Sequence, residues 1–254
     1  MNKIRQFINK AYIILTLPDV HTPYHINLNP ILNYCDDLNP SIIQYLGDNT
    51  SAESCNWRKI TKGIKRDVEN VKEDYDILKR VLLDPFNKAK SKKAITVFHI
   101  GNHEGWFYEK MSMDVTTKDK LGIKDNVDLK KYNMRVIPEN GIINFGHLYF
   151  THSTYINDFH SKKTAINYRK CLLYAHSHDL QSYVAHSPID SNEKILAKSI
   201  GCLCNRNPEY LEGKPNRWIN SFNVAYIRSD GTFNEYDCVI TNGKFTAPNG
   251  KTYK

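Results

Sequence analysis

Three apolar runs, residues 12–17, 41–46 and 94–100, each stop at a short polar cluster. The clusters are Pro18-Asp19, Gly47-Asp48 and Gly101-Asn102-His103-Glu104. A short, nearly unbroken apolar run bounded by turn residues reads as a strand buried on both faces. Helical segments separate the runs, which gives the β-α-β-α-β rhythm of a layered α/β protein. In such sheets ligands gather at the carboxyl ends of the strands. Those ends are where the polar clusters stand.

The clearest helix falls between the second and third runs. Ile60, Ile64, Val68, Val71, Tyr75, Leu78 and Leu82 recur at spacings of three and four, which keeps one apolar stripe toward a core. The charged positions between them read as a solvated face. Asp84-Pro85 is the expected stop. A shorter helix is expected within 27–37, and helical pieces within 105–131. From Met134 the texture turns to short strands, at 136–137, 142–145, 148–151, 171–175, 182–185, 196–203, 222–228 and 234–240, with a helix over 159–169. Ser229-Asp230-Gly231 marks a hairpin. The β-rich second half predicts a second sheet packed on the first, with helices on the outer faces.

With 254 residues, 41% of them apolar and 24% charged, one domain over 1–254 can bury a core without disulfides. Lysine and arginine total 35 against 27 acids, a formal charge of +8. A basic surface concentrates phosphate-bearing partners through its field. The six cysteines form no C-x-x-C pair and read as thiols in a reducing compartment. Cys202 and Cys204, two apart, would share one face of a strand. Packing is their default role, and a zinc or redox role the alternative. The apolar run at 11–17 is too short to span a membrane and lacks a cleavage site, so the expected setting is cytoplasmic with no membrane partner.

Five blocks carry the chemistry: Asp19-Val20-His21, Gly47-Asp48-Asn49, Gly101-Asn102-His103-Glu104, Thr151-His152-Ser153 and Ala175-His176-Ser177-His178. Imidazole and carboxylate suit borderline divalent ions. Asp19 with His21, and His176 with His178, are i, i+2 pairs that reach one ion once the chain leaves the sheet. Asp48 is a carboxylate that can bridge two ions, Asn102 adds an amide oxygen and His152 another nitrogen. Two ions ~3.5–4 Å apart activate a water and clamp phosphoryl oxygens. His25, His99, His147, His160 and His186 stand outside the blocks and read as solvated or hydrogen-bonded side chains.

The set resembles the calcineurin-like metallophosphoesterases, whose pattern is D-x-H, G-D-x-x-D, G-N-H-[DE], G-H and G-H-x-H. The resemblance spans Asp19 to His178 with the order kept. It implies an α/β fold, a four-layer α/β/β/α sandwich of two mixed sheets flanked by helices. It implies that Asp19, His21, Asp48 and His178 hold one metal, and that Asp48, Asn102, His152 and His176 hold the other. Two divalent ions are expected, Mn2+ first, with Fe, Zn or Ni as alternatives. His103 would be the general acid, Asp48 the carboxylate that bridges the ions, and a metal-bridging hydroxide the nucleophile. Ser51 stands where the family has a second Asp, Thr151 precedes His152 in place of Gly, and Ala175 precedes His176 in place of Gly. These changes touch positioning and leave every ligand position matched.

The stretch 199–222 is similar to one found in phage-encoded members, which would place the protein in a host cytoplasm. Arg206, Lys214 and Arg217 there could contact substrate phosphates, and Tyr210 and Trp218 could stack on bases; the plainer reading is a surface loop with its aromatics tucked in. The expected substrate is a phosphodiester of nucleic acid or a nucleotide. A phosphomonoesterase is the alternative within the same chemistry, and a non-catalytic interaction scaffold the alternative of another class.

Overall fold

The computed structural model describes residues 10–56, 68–113, 120–190, 194–208 and 211–254. The three apolar runs form strands β1 (Tyr12–Leu17), β2 (Ile42–Tyr45) and β3 (Ile95–His99). They lie parallel and side by side, joined by β4 (Met134–Ile137) at one edge. Strands β5 (Ile143–Phe145), β6 (Leu148–Thr151), β7 (Cys171–Tyr174), β8 (Leu180–His186) and β9 (Lys194–Ile200) make a second sheet in the order β5-β6-β7-β9-β8. Its three central strands are parallel and its two edges antiparallel.

The last hairpin departs from the sequence expectation. Strands β10 (Ser221–Ile227) and β11 (Phe233–Val239) return to the first sheet, giving the order β11-β10-β1-β2-β3-β4. β10 pairs antiparallel with β1 over Tyr12–Ile227 to Thr16–Asn223. Pairing β1 on its free edge satisfies its remaining backbone groups, which a buried strand cannot leave open. The turn at Gly231, with φ of +86°, is the one read from Ser229-Asp230-Gly231.

Four layers follow from where the apolar side chains go. Leu15, Leu17, Ile43, Tyr45 and Phe98 face outward from the first sheet and pack with Ile31, Tyr75, Leu82, Phe86 and Phe107 of the helices. Ile14, Ile42, Val97 and Ala225 face inward and meet Phe150, Leu173, Leu196 and Ile200 of the second sheet. On the far side, Ala165 of the helix His160–Tyr168 packs on Tyr174 and Ala197. The period-2 alternation of each strand thus feeds two different cores. The result is the α/β/β/α sandwich of two mixed sheets.

Within the long helical region, Val71, Tyr75, Leu78 and Leu82 are buried as the stripe requires. Burying each of these side chains is worth about 1.5–3 kcal/mol. Ile60 and Ile64 lie outside the described residues. Pro85 does not end the helix. The turns widen over Lys79–Leu83, and a further helical segment, Asp84–Ala89, begins with Pro85 in its first turn. The wider turns just before it let the helix pass a residue that has no N–H to donate. Among the described residues no helix is long and apolar enough to cross a membrane.

Candidate metal centre

The carboxyl ends of β1, β2, β3, β6 and β7 open on one edge of the sandwich, and each delivers its block there. The loops are tied to one another by backbone bonds. His21 N–H donates to the Asp48 carbonyl at 2.8 Å, Ala175 N–H to the His152 carbonyl at 3.0 Å, and His176 N–H to Asp19 Oδ2 at 2.9 Å. Asp19, His21, Asp48, His176 and His178 all have positive φ, between 43° and 73°. Non-glycine residues pay for that conformation, and such strain concentrates at functional sites.

Two glycines are required by close approach. A Cβ on Gly47, itself at φ of +92°, would sit 2.3 Å from His152 Nδ1. A Cβ on Gly101 would lie 2.2 Å from both the backbone nitrogen and Oδ1 of Asp48. The Gly-Asp and Gly-Asn dipeptides read from sequence are therefore spacers that let the ligand side chains converge.

All seven sequence-derived ligands meet in this one place. His178 Nε2 stands 3.3 Å from Asp19 Oδ1 and 3.2 Å from His21 Nε2. Asp48 lies in the middle and turns one oxygen to each side. Its Oδ2 is 3.7 Å from His21 Nε2, and its Oδ1 is 3.4 Å from His152 Nε2. His152 Nε2 is also 3.1 Å from Asn102 Oδ1, and the His152 and His176 rings are 5.3 Å apart. The ligand atoms of Asp19, His21 and His178 lie within 4.8 Å of one another, as do those of Asp48, His152 and His176.

The donor set fits divalent ions. Asp19 Oδ1 is buried without a well-aligned hydrogen bond among the described residues, and its neighbour at 3.3 Å is His178 Nε2, so this carboxylate depends on positive charge at that spot, from an imidazolium or a bound cation. The Nε2 atoms of His21 and His178 converge with this oxygen, and Asp48 Oδ2 stands 3.7 Å from His21 Nε2. His152 Nδ1–H donates to the Leu46 carbonyl at 2.8 Å, which fixes the tautomer and leaves Nε2 toward Asp48.

The electrostatics among the protein groups themselves are those of buried opposite charges. Burial would raise Asp48, but the imidazoles of His152 and His103 hold it well below the usual carboxylate range. Burial would lower His152, but the Asp48 carboxylate pushes it up to about 10. His178 is likewise raised to about 9 by Asp19 against the pull of burial. His21 is lowered to about 3, by burial first and by the neighbouring His103 ring second.

His103 stands at the rim of this group, partly exposed. Its Nδ1–H donates to the Ser51 carbonyl at 3.0 Å, so Nε2 faces Asp48 Oδ2 at 3.9 Å. Its ring lies against Trp106, with centroids 4.1 Å apart. Ser51, where the family pattern has Asp, also donates its hydroxyl to the His21 carbonyl at 3.1 Å. It ties two of the loops together without a carboxylate.

Glu104 is the residue whose role sequence reasoning missed, although the block was recognised. Its side chain is buried and accepts from four backbone N–H groups: Asn49 at 2.7 Å, Gly101 at 2.9 Å, Asp48 at 3.0 Å and Thr50 at 3.2 Å. It is the knot that holds the Asp48 loop against the start of the helix Asn102–Met113. Burial, and then the Asp48 charge, raise its carboxyl to about 7.

The basic tail residues sit differently. Arg206, Lys214 and Arg217 are exposed, and Arg217 pairs with Asp158 at 2.9 Å. Trp218 is half-buried, edge-on to the His178 ring with centroids 4.3 Å apart. It touches the ring of a candidate ligand. Tyr210 lies outside the described residues. Of the five histidines set aside, His160 is buried and bonds to Asp179 at 3.0 Å and to the Tyr174 hydroxyl at 2.6 Å. His99 is fully buried with neither ring nitrogen paired among the described residues, contrary to expectation.

No family model and no curated protein matches the sequence. Among solved structures, the chain is similar to wild-type Vps29 from Entamoeba histolytica complexed with zinc, at 13% identity and a TM-score of 0.46, covering 92% of this chain and 95% of that one. It is also similar to Vps29 of Chaetomium thermophilum, at 13% identity and a TM-score of 0.40, covering 95% and 93%.

Proposed function

We propose that the chain is a metal-dependent phosphoesterase of the calcineurin-like kind, a single catalytic domain that hydrolyses phosphodiesters of nucleic acid or nucleotides. The observation that carries this reading is Asp48, whose two oxygens face two separate sets of nitrogen and oxygen donors. Asp19, His21, Asp48 and His178 would hold one divalent ion, and Asp48, Asn102, His152 and His176 the other. Bound there, the ions supply an activated water and positive charge for the phosphoryl oxygens.

The chain's own groups do the rest. His103 is fixed by its Nδ1–H bond to Ser51, which aims Nε2 into the opening. From that position it donates a proton to the leaving oxygen. The helix Asn102–Met113 starts at the centre, so its dipole adds partial positive charge where a phosphate would sit. Glu104 and Ser51 keep the Asp48 and His21 loops in register. Arg206 and Lys214 are exposed cations on the segment that leads to Trp218, and they would extend the contact to a polyanion.

The test is hydrolysis of bis-p-nitrophenyl phosphate and p-nitrophenyl phosphate, with Mn2+ and with EDTA, beside Asp48→Ala. Metal-dependent diester cleavage that Asp48→Ala abolishes is the expected result. Cleavage of the monoester alone would move the assignment to a phosphatase. Inactivity on both, with no metal retained, would contradict an enzyme.

A further inference from the structure

The proposed centre uses the Nε2 side of His178. The other side of the ring faces sulfur. Cys204 Sγ lies 3.8 Å from His178 Nδ1. Cys202 completes a group whose three ligand atoms lie within 4.8 Å of one another. The two cysteines come from the extended segment just after β9, where residues two apart share a face.

This segment is pinned on several sides. Cys202 N–H donates to the Ile219 carbonyl at 3.0 Å, Ser221 N–H to the Cys202 carbonyl at 3.1 Å, and Leu203 N–H to the Asp19 carbonyl at 3.1 Å. All three side chains are buried. Ordinary thiol packing does not describe the pair. Cys35, Cys55 and Cys238 lie in the apolar core under the helices, and Cys171 in the core between the sheets. Cys202 and Cys204 belong to neither core. Cys204 Sγ lies against the ring nitrogen, and Cys202 Sγ, which also meets the Ile219 carbonyl at 3.7 Å and Asn220 Nδ2 at 3.8 Å, stands beside it.

We propose that Cys202, Cys204 and the Nδ1 side of His178 form a second coordination site, for a thiophilic cation such as Zn2+, back to back with the Asp/His centre. Two sulfurs and one imidazole suit zinc or a softer ion far better than Mn2+ or Mg2+. A neutral imidazole offers one lone pair, because its other nitrogen carries the proton. A cation on Nδ1 therefore takes His178 away from the Asp19 side. Occupancy of the thiol site and of the Asp19–His21–His178 position oppose one another, and the opposition is reciprocal. The thiol site rests on its own donors. Only this antagonism rests on the proposed Asp/His centre.

The experiment titrates the reduced, metal-free full chain with Co2+ and follows the sulfur-to-cobalt charge-transfer absorption. The expected result is a thiolate band that rises to the amplitude of one thiol-bound Co2+ per chain, the remaining Co2+ going to the Asp/His centre without a sulfur band. Cys202→Ser/Cys204→Ser should lose the band, Cys171→Ala should keep it, and circular dichroism reports whether each variant folds. Wild type given one equivalent of zinc should show sulfur scatterers by X-ray absorption, a readout that needs no variant. Asp48→Ala should lose Mn2+ but keep the thiolate band, so that the two sites can fail separately. Absence of the band and of sulfur scatterers in wild type overturns the thiol site. So does a band that survives in the folded double variant. Excess Zn2+ that leaves bound Mn2+ unchanged overturns the antagonism.

Discussion

The two halves of the centre are built from similar donors but differ in access. On the Asp19 side every ligand is buried: Asp19 is 0% exposed, and His21 and His178 are each 7%. Trp218 closes that side against His178. On the His152 side, Asn102 and His176 are only half-buried, and the partly exposed His103 stands at the rim. Under the proposed function the closed half would keep an ion, and the open half would admit a phosphoryl group and exchange water. Asp48 is common to both.

Removing the shared ligand tests the comparison hardest. Asp48→Ala should cost both ions and about 10³-fold or more in diester kcat/KM, the scale of losing a dominant electrostatic contribution. Metal content by mass spectrometry alongside the rate checks it, and retention of both ions would break the bridging role. His103→Ala should keep metal and lower kcat by ~10²–10⁴-fold, most for esters with poor leaving groups. Glu104→Ala should leave four backbone donors unpaired and destabilise the fold by about 2–4 kcal/mol in urea titrations. A change confined to kcat would show that Glu104 does not knot the loop.

A direct contrast of the halves is smaller in effect. His178→Ala should strip the slowly exchanging ion, while His176→Ala should weaken only the fast-exchanging one, by about 10–100-fold in affinity. Equal exchange rates in both variants would erase the distinction between a closed and an open half. The smallest effect is on pH dependence. In the metal-free chain His152 and His178 are raised to about 10 and about 9. The folded state then binds more protons than the unfolded one. Their contribution to stability is full below about 6.5 and is lost as pH rises through the folded values. The Tm of EDTA-treated protein should fall from about pH 7 to about pH 10, and saturating Mn2+ should flatten that decline, because the ions replace the protons.

Much of this was legible because the decisive signals are local. The three apolar runs and the motifs after them are contiguous in sequence, so strands, their ends and the seven side chains that converge there could be placed. What sequence could not show depends on distant contacts. The return of β10 and β11 to the first sheet is decided by which edge of β1 is open, 200-odd residues away in the chain. Pro85 read as a stop because nothing local announces the wider turns of Lys79–Leu83 that put it in a first turn. Glu104 looked like one letter of a motif, and only the folded loops show its four partners. Gln44 was absorbed into an apolar run, yet it faces inward beside Thr16, and both have buried polar atoms unpaired among the described residues. Cys202 and Cys204 read as packing, since the ring that gives them a purpose arrives from the loop after β7.

The most direct measurement is the electron paramagnetic resonance spectrum of the full chain loaded with two equivalents of Mn2+. An exchange-coupled manganese pair, lost in Asp48→Ala, is the expected result and would place one carboxylate between two ions. The spectrum of isolated, uncoupled Mn2+, or no bound manganese, would contradict a centre shared through Asp48.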